Sequence, residues 1–592
     1  MHPIEYHIKL KDPAGHHFEV DLYIEKPFPL GQKISLPTWI PGSYMIRDFS
    51  KHIETIEAFS FSNNKIKQSI ALKQLDSHTW EVSPTNEPIL IRISVYAFDT
   101  SVRTAYLDLD RAFYNHSSLC LQAHGFTQSS CLVKIIPNPQ LIGWEISTTL
   151  NPESTNRFGF GTYRAENYDE LIDHPVTIGK MRRIKWKSQG IAHQIVIQGV
   201  NTPIDEKRLA QDLSAICDAH IRFFEPKTKR APFKQYLFIV NTVGLGYGGL
   251  EHRSSTALLC KRSDLPIIDP SQKGKLLNQS QYEDFLGLCS HEYFHAWMVK
   301  NVQPLAFQPY RLNEKNHTSL LWLFEGFTSY YDDLQLLRSG CISRKSYLER
   351  ILKTHESVMR TSGRLKQSVT ESSFDAWTKY YLMDENTPNA VVSYYAKGSL
   401  IALALDLLIR NHTSNKKSLD HVMRTLWKSH GSLKTVPGRG ISEHGFEQVV
   451  IDAMGHDFKK SWLNFEKKYI SGKENIPLIS LLTQQGIQVK AKPLSRTDSV
   501  KQRIGLRTTS VDGWVKITHA LTGGAAQVAG LSAGDFIVSL NGERITPTNF
   551  DKTLGQLFSD EITITAFRHD SQKEFHLSLR SISQTPEYIL SE

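Results

Sequence analysis

The 592-residue sequence has no apolar run approaching the roughly 20 residues needed to cross a bilayer, so a membrane-spanning role is set aside. Cysteine is scarce: Cys120, Cys131, Cys217, Cys260, Cys289 and Cys341 lie far apart. That spacing excludes a cysteine-based metal site and leaves reduced, mostly buried thiols as the expectation. Internal repeats and low-complexity segments are missing too, which excludes solenoid and disordered architectures. The first ten residues, Met-His-Pro-Ile-Glu-Tyr-His-Ile-Lys-Leu, lack the basic-then-apolar order of a secretory signal. With the thiols, this makes the cytoplasm the expected location. A net charge of +9 raises the question of nucleic acid. Its basic residues are scattered among acids, however, and the densest runs, 180–187 and 227–234, carry no nucleic-acid motif. Neither nucleic acid nor a membrane is expected as a partner.

What is present is the balance of a globular protein, 40% hydrophobic and 22% charged, in a chain too long for one core. Residues 1–180 read as strands. Phe18, Val20, Leu22 and Ile24 alternate with polar neighbours, as do Ile91, Ile93, Val95 and Ala97, which predicts a β-sandwich-like domain. Residues 181–480 read as an α+β domain, with strands at 194–198, 236–240 and 254–260, a helix over 205–224 and a mainly helical lobe after about 335. A polar, basic linker is expected over 493–500, and residues 495–585 return to short strands.

The chemistry concentrates at His291-Glu292-Tyr293-Phe294-His295. Ser280 to Glu283 fits a capping box ahead of Phe285 and Leu288, so the segment is expected on a helix that starts there. Positions i and i+4 share one helix face, which aims both imidazoles at one point. Glu292 can then reach a metal-held water as a general base without being a ligand. A catalytic zinc takes three protein ligands and keeps one position open. Glu325, a single carboxylate in the apolar helix from Leu321 to Tyr331, is the third candidate, because a buried carboxylate needs a cation. A salt bridge to a buried base is the alternative. Asp332 is a candidate partner for a ligand histidine, or else a solvated acid. Two imidazoles, one carboxylate and an open position favour zinc, one per chain.

At this point the chain resembles the glycyl aminopeptidase family, gluzincin zinc metallopeptidases with a C-terminal PDZ domain. The resemblance runs through Leu36-Pro37-Thr38-Trp39-Ile40-Pro41-Gly42-Ser43-Tyr44, Arg103-Thr104-Ala105-Tyr106-Leu107-Asp108, Gly248-Gly249-Leu250-Glu251-His252, the two metal-ligand segments, and Tyr394-Tyr395-Ala396-Lys397-Gly398. It implies a multidomain α+β fold: the N-terminal β domain, a thermolysin-like catalytic domain and the PDZ domain.

The activity implied is removal of N-terminal residues, by preference Gly or Ala, from peptides with a free N-terminus, by Glu-assisted attack of zinc-bound water. Tyr395 is implied as oxyanion donor, since a phenol stays protonated at neutral pH, with Tyr394 the competing choice. In related aminopeptidases a Glu of the Gly-rich segment binds the substrate ammonium. Carried over, that is Glu251, with Gly248 and Gly249 allowing close backbone approach. A surface Glu251 paired with Arg253 is the alternative. Ile504, Gly505 and Leu506 occupy the place of a PDZ carboxylate loop, after Arg503 in place of its usual first Gly. That loop implies a C-terminal peptide ligand, or a module that only packs on the catalytic lobe. The competing functions are a zinc endopeptidase and a PDZ-based scaffold with a vestigial metal site.

Overall fold

The computed structural model describes residues 3–62, 65–269, 271–272, 274–434 and 436–591. It is a multidomain α+β protein with a β-rich N-terminal domain and a helical middle. The N-terminal strands follow the period-two rule. Phe18, Val20, Leu22 and Ile24 are all buried, as are Ile91, Ile93, Val95 and Ala97. They belong to an eight-stranded sheet whose central strands are Ile4–Asp12, His17–Ile24 and Ile89–Tyr96. Two four-stranded sheets complete the domain.

The region that follows is built on a five-stranded sheet. Its strands are β1 (Arg182–Ser188), β2 (Ile191–Gln198), β3 (Gln235–Val243), β4 (Gly248–Glu251) and β5 (Ser255–Lys261), in the order β1-β2-β3-β5-β4. The β2-β3 and β3-β5 pairs are parallel, and β4 closes the sheet as an antiparallel edge strand. Val196, Leu237, Ile239, Leu250 and Ala257 of this sheet join the same apolar core as the N-terminal domain, so no solvent layer separates the two. Helix α1 (Glu206–Phe224) buries Leu209, Leu213, Ile216 and Ile221 and starts at Asp205, whose side chain accepts from the Arg208 amide. Helix α2 (Gln279–Phe294) packs against β4 and β5.

The helix start differs from the capping-box expectation. Asn278, not Ser280, stands at the N-cap. Its side chain is spent on the preceding loop, donating to the carbonyls of Ser263 and Leu265, and Ser280 lies inside the first turn. The linker expected over 493–500 is shorter too, because Ser495 caps a helix running Arg496–Ile504, its Val500 and Ile504 buried in the C-terminal core.

By internal contacts the chain forms two compact units. One is Met1–Asn316, Tyr331–Ile342 and Met423–Phe446, and holds the sheets above. The other is His317–Tyr330, Ser343–Val422 and Glu447–Glu592. In this second unit a Cβ on Gly326 would lie 2.6 Å from Gly398 Cα, so two backbones touch where any side chain would force them apart. Its C-terminal sheet runs Leu506–Val511, Trp514–Ala520, Phe536–Leu540, Glu561–Arg568 and Ser571–Ser578, with Leu506–Val511 at the edge.

Among the described residues no helix is long and apolar enough to cross a membrane. All six cysteines are free thiols and five are buried.

Burial pushes the imidazoles of His116 and His220 down to about 3, and those of His174 and His193 to about 4. With folded values below the unfolded one near 6.5, these histidines bind protons in the unfolded chain before the folded one. Stability is therefore full above about pH 6.5 and falls as the pH drops toward the folded values. Moving from pH 7 to 5.5 is expected to cost about 1 kcal/mol per histidine, read as a lower urea midpoint. An unchanged midpoint would contradict the assignment.

Candidate metal and peptide site

His291 sits in the last turn of α2 and His295 at its C-cap. One helical turn brings their Nε2 atoms to 3.2 Å. Two nitrogens on one tetrahedral ion, with bonds of about 2.0–2.1 Å, stand roughly 3.3 Å apart, so the imidazoles fit a shared ion without rearrangement.

The pair is held from behind. His291 Nδ1 lies 2.9 Å from Asp332 Oδ2, on helix α3 (Thr328–Arg338). The adjacent Ser290 hydroxyl donates to the Asp332 carbonyl at 2.9 Å, and accepts from His220 Nε2, also at 2.9 Å. Burial lowers the His220 imidazole and keeps it neutral, and because the Ser290 proton goes to the Asp332 carbonyl, Nε2 is the ring nitrogen that donates. Asp332 is thus gripped at backbone and carboxylate by consecutive residues of α2. On the far side Tyr293 packs on Tyr236, Trp297 and Phe238, ring centroids 4.6, 5.5 and 5.8 Å away, and its hydroxyl meets His193 Nε2 at 2.9 Å.

Glu292 is buried, and β4 runs directly across it. A Cβ on Gly249 would fall 2.2 Å from Glu292 Oε1, so Gly249 is glycine because the carboxylate occupies that space. Glu251, two residues on, is buried as well. One ligand atom from each of Glu251, Glu292 and His295 lies within 4.8 Å of the other two. Glu251 Oε1 is buried with no hydrogen-bond partner among the described residues. Gly42, from the N-terminal domain, covers this carboxylate, since its Cβ would lie 2.6 Å from Glu251 Oε2.

The alternative of Glu251 at the surface paired with Arg253 is not what the fold builds. Arg253 turns to Asp169 and Asp173. Asp173 also takes Lys300 Nζ at 3.1 Å and the Arg253 amide at 2.9 Å. Burial alone would raise the Asp173 carboxyl, but Lys300 and Arg253 hold it well below the usual range.

In the second unit Glu325 is buried in a π-turn, Trp322–Gly326. The backbone contact of Gly326 with Gly398 holds that turn beside the Tyr394–Gly398 segment. Burial, together with Tyr381 and Glu325, raises the Tyr394 hydroxyl well above its ordinary range. The two tyrosines differ in access: Tyr394 is fully buried, while Tyr395 is half-buried with its hydroxyl 3.1 Å from that of Tyr381.

Ile504 ends a helix, Gly505 takes a left-handed turn at φ 72°, and Leu506 opens the edge strand. The Gly505 amide already donates to the Lys501 carbonyl at 3.0 Å.

Residues 5–180 match the family model for the Peptidase M61 N-terminal domain, and residues 284–401 that for the M61 glycyl aminopeptidase. A solved structure, an aminopeptidase N family protein from Idiomarina loihiensis, is 38% identical with a TM-score of 0.90, covering 99% of this chain and 98% of that one. The chain belongs to the M61 glycyl aminopeptidase family. It is an enzyme, an aminopeptidase of the metallopeptidase class. An M1 zinc metallopeptidase from Deinococcus radiodurans is 14% identical, with a TM-score of 0.46 over 80% of this chain and 94% of that one. No curated protein matches this M61 chain.

His220, Ser290, Asp173, Lys300 and Tyr381 were not singled out from the M61 sequence. Each acts through a partner far away in the chain, and a lone polar residue gives no local signal of that. The strings holding Gly42 and Arg103 were visible, but the groups they face were not.

Replacing Asp332 with Asn is expected to weaken metal binding about 10- to 100-fold, measured by competition with a chelator. An unaltered affinity would show that the carboxylate does not orient His291.

Proposed function

We propose that the enzyme is a zinc-dependent aminopeptidase that removes small N-terminal residues, Gly and Ala foremost, from peptides with a free amine. The observation that carries the reading is Glu251: a buried carboxylate beside Glu292 and His295, with one oxygen unpartnered among the described residues. Two like charges so close call for positive charge in the same space, which a bound metal and the substrate ammonium both bring. The Gly preference rests on the family description, and Ala is added as the next smallest side chain.

We assign His291, His295 and Glu325 as the ligands of one zinc ion, with Asp332 orienting His291. When bound, zinc polarises the scissile carbonyl and lowers the pKa of water toward neutrality. Glu292 takes the proton of the attacking water and returns it to the leaving amine. Glu251 receives the substrate ammonium, while Gly248 and Gly249 let the peptide backbone close on β4. Tyr395 donates to the developing oxyanion. Its partial exposure favours it over Tyr394, which is sealed inside the core.

The catalytic part is read as thermolysin-like and residues 495–585 as a PDZ-like module. Its packing role has more support than a peptide ligand. The Asn389 side chain donates to the Ala520 carbonyl at 2.9 Å and accepts from the Thr522 amide at 2.8 Å. Strand Glu587–Leu590, beyond the module, pairs with Val489–Lys492 before it, and Glu587 meets Arg360. Both chain connections are thereby held to the helical part of the same unit.

The deciding experiment is hydrolysis of free and N-acetylated glycyl, alanyl and leucyl peptides, with and without a chelator. Chelator-sensitive release of residues from unblocked peptides only, fastest for Gly and Ala, is expected. Cleavage of the acetylated peptides would identify an endopeptidase, and inactivity on all of them a scaffold. Glu292→Gln is expected to retain zinc and lose turnover, and Tyr395→Phe to lower kcat by about 10²- to 10³-fold. A Tyr395→Phe effect confined to KM would make that residue a positioning group.

A further inference from the structure

Arg103 belongs to the N-terminal β domain, yet its Nη2 donates to the Gly249 carbonyl at 3.2 Å. A Cβ on the neighbouring Gly248 would lie 3.8 Å from Nη1. Carbonyls of a strand lie in the plane of its sheet, and β5 fills the space on the other side of β4. The guanidinium therefore stands at the free edge of β4. Its base is fixed, because the buried Asn115 side chain donates to the carbonyls on both sides of it, Val102 at 3.0 Å and Thr104 at 3.3 Å. Nε is buried and finds no hydrogen-bond partner among the described residues, while the side chain as a whole is half-exposed.

The direction of a substrate along this edge follows from the proposed aminopeptidase reading, on which this inference rests. With the ammonium at Glu251 and the scissile bond over Glu292, which abuts Gly249, the departing part of the peptide must run toward Gly248. From Glu251 to Gly248 is three residues, about 10 Å of strand. A chain of two or three residues ends there, beside a cationic fork whose geometry matches a carboxylate.

We propose that Arg103 receives the C-terminal carboxylate of the substrate, so that the enzyme is selective for free peptides of two or three residues. Glu251 and Arg103 then measure the substrate from both ends. Longer or C-terminally blocked peptides lose the second contact and displace the guanidinium from the Gly249 carbonyl without recompense.

The test compares glycyl-glycyl-glycine with its C-terminal amide, both with free amines. In the wild type kcat/KM is expected to favour the acid about 10- to 100-fold, as a lost charge-assisted hydrogen bond implies. In Arg103→Gln the ratio should fall to near one, and in Arg103→Lys to an intermediate value, since the charge remains but the fork is gone. A wild-type ratio near one would overturn the proposal, as would a ratio that survives Arg103→Gln. Hydrolysis of the amide as fast as the acid leaves the aminopeptidase reading standing. Inactivity on both peptides would remove that reading and this one together.

Discussion

Two carboxylates, Glu251 and Glu292, are buried in one small space with His295, each offering an atom within 4.8 Å of the others. In a medium of low dielectric two carboxylates so close repel unless positive charge or a shared proton stands between them. Much of the surrounding architecture reads as a consequence. Gly249 has no side chain because Glu292 fills its place, and Gly42 has none because Glu251 does. Two nearby cations, Arg253 and Lys300, both serve Asp173.

Helix α2 is held from two sides. Aromatic rings around Tyr293 fix one face, and the chain His220, Ser290, Asp332 ties the other to a second helix. Because Ser290 holds the backbone of the aspartate whose carboxylate meets His291, the ring cannot rotate without breaking a contact with a fixed partner. Such a support keeps an imidazole oriented before any ion arrives.

The N-terminal domain is part of the site. Its apolar core continues into the catalytic sheet, and it places Gly42 over Glu251, Arg103 on Gly249 and Asp173 under Arg253. An edge strand left bare would be open to any extended chain. Here the flanking domain lines that edge with Arg103, whose guanidinium donates to the Gly249 carbonyl.

The sequence by itself determined the pairing of His291 with His295, the place of Glu292 and the isolation of Glu325, because helical periodicity and the cost of a buried charge act over a few residues. Period-two alternation likewise marked the N-terminal strands. Its local rules failed where a distant partner intervened. Asn278 took the helix start from Ser280 by serving the preceding loop, and Arg496–Ile504 became helical because Val500 and Ile504 found a core. Only the tertiary structure decided that Glu251 is buried beside Glu292 rather than paired with Arg253, that Tyr395 is the accessible tyrosine, and that Arg103 faces β4. Arg103 and Gly249 are separated by 146 residues along the chain. Their meeting depends on how two sheets share one core, and contacts of that range leave no periodic trace in the sequence.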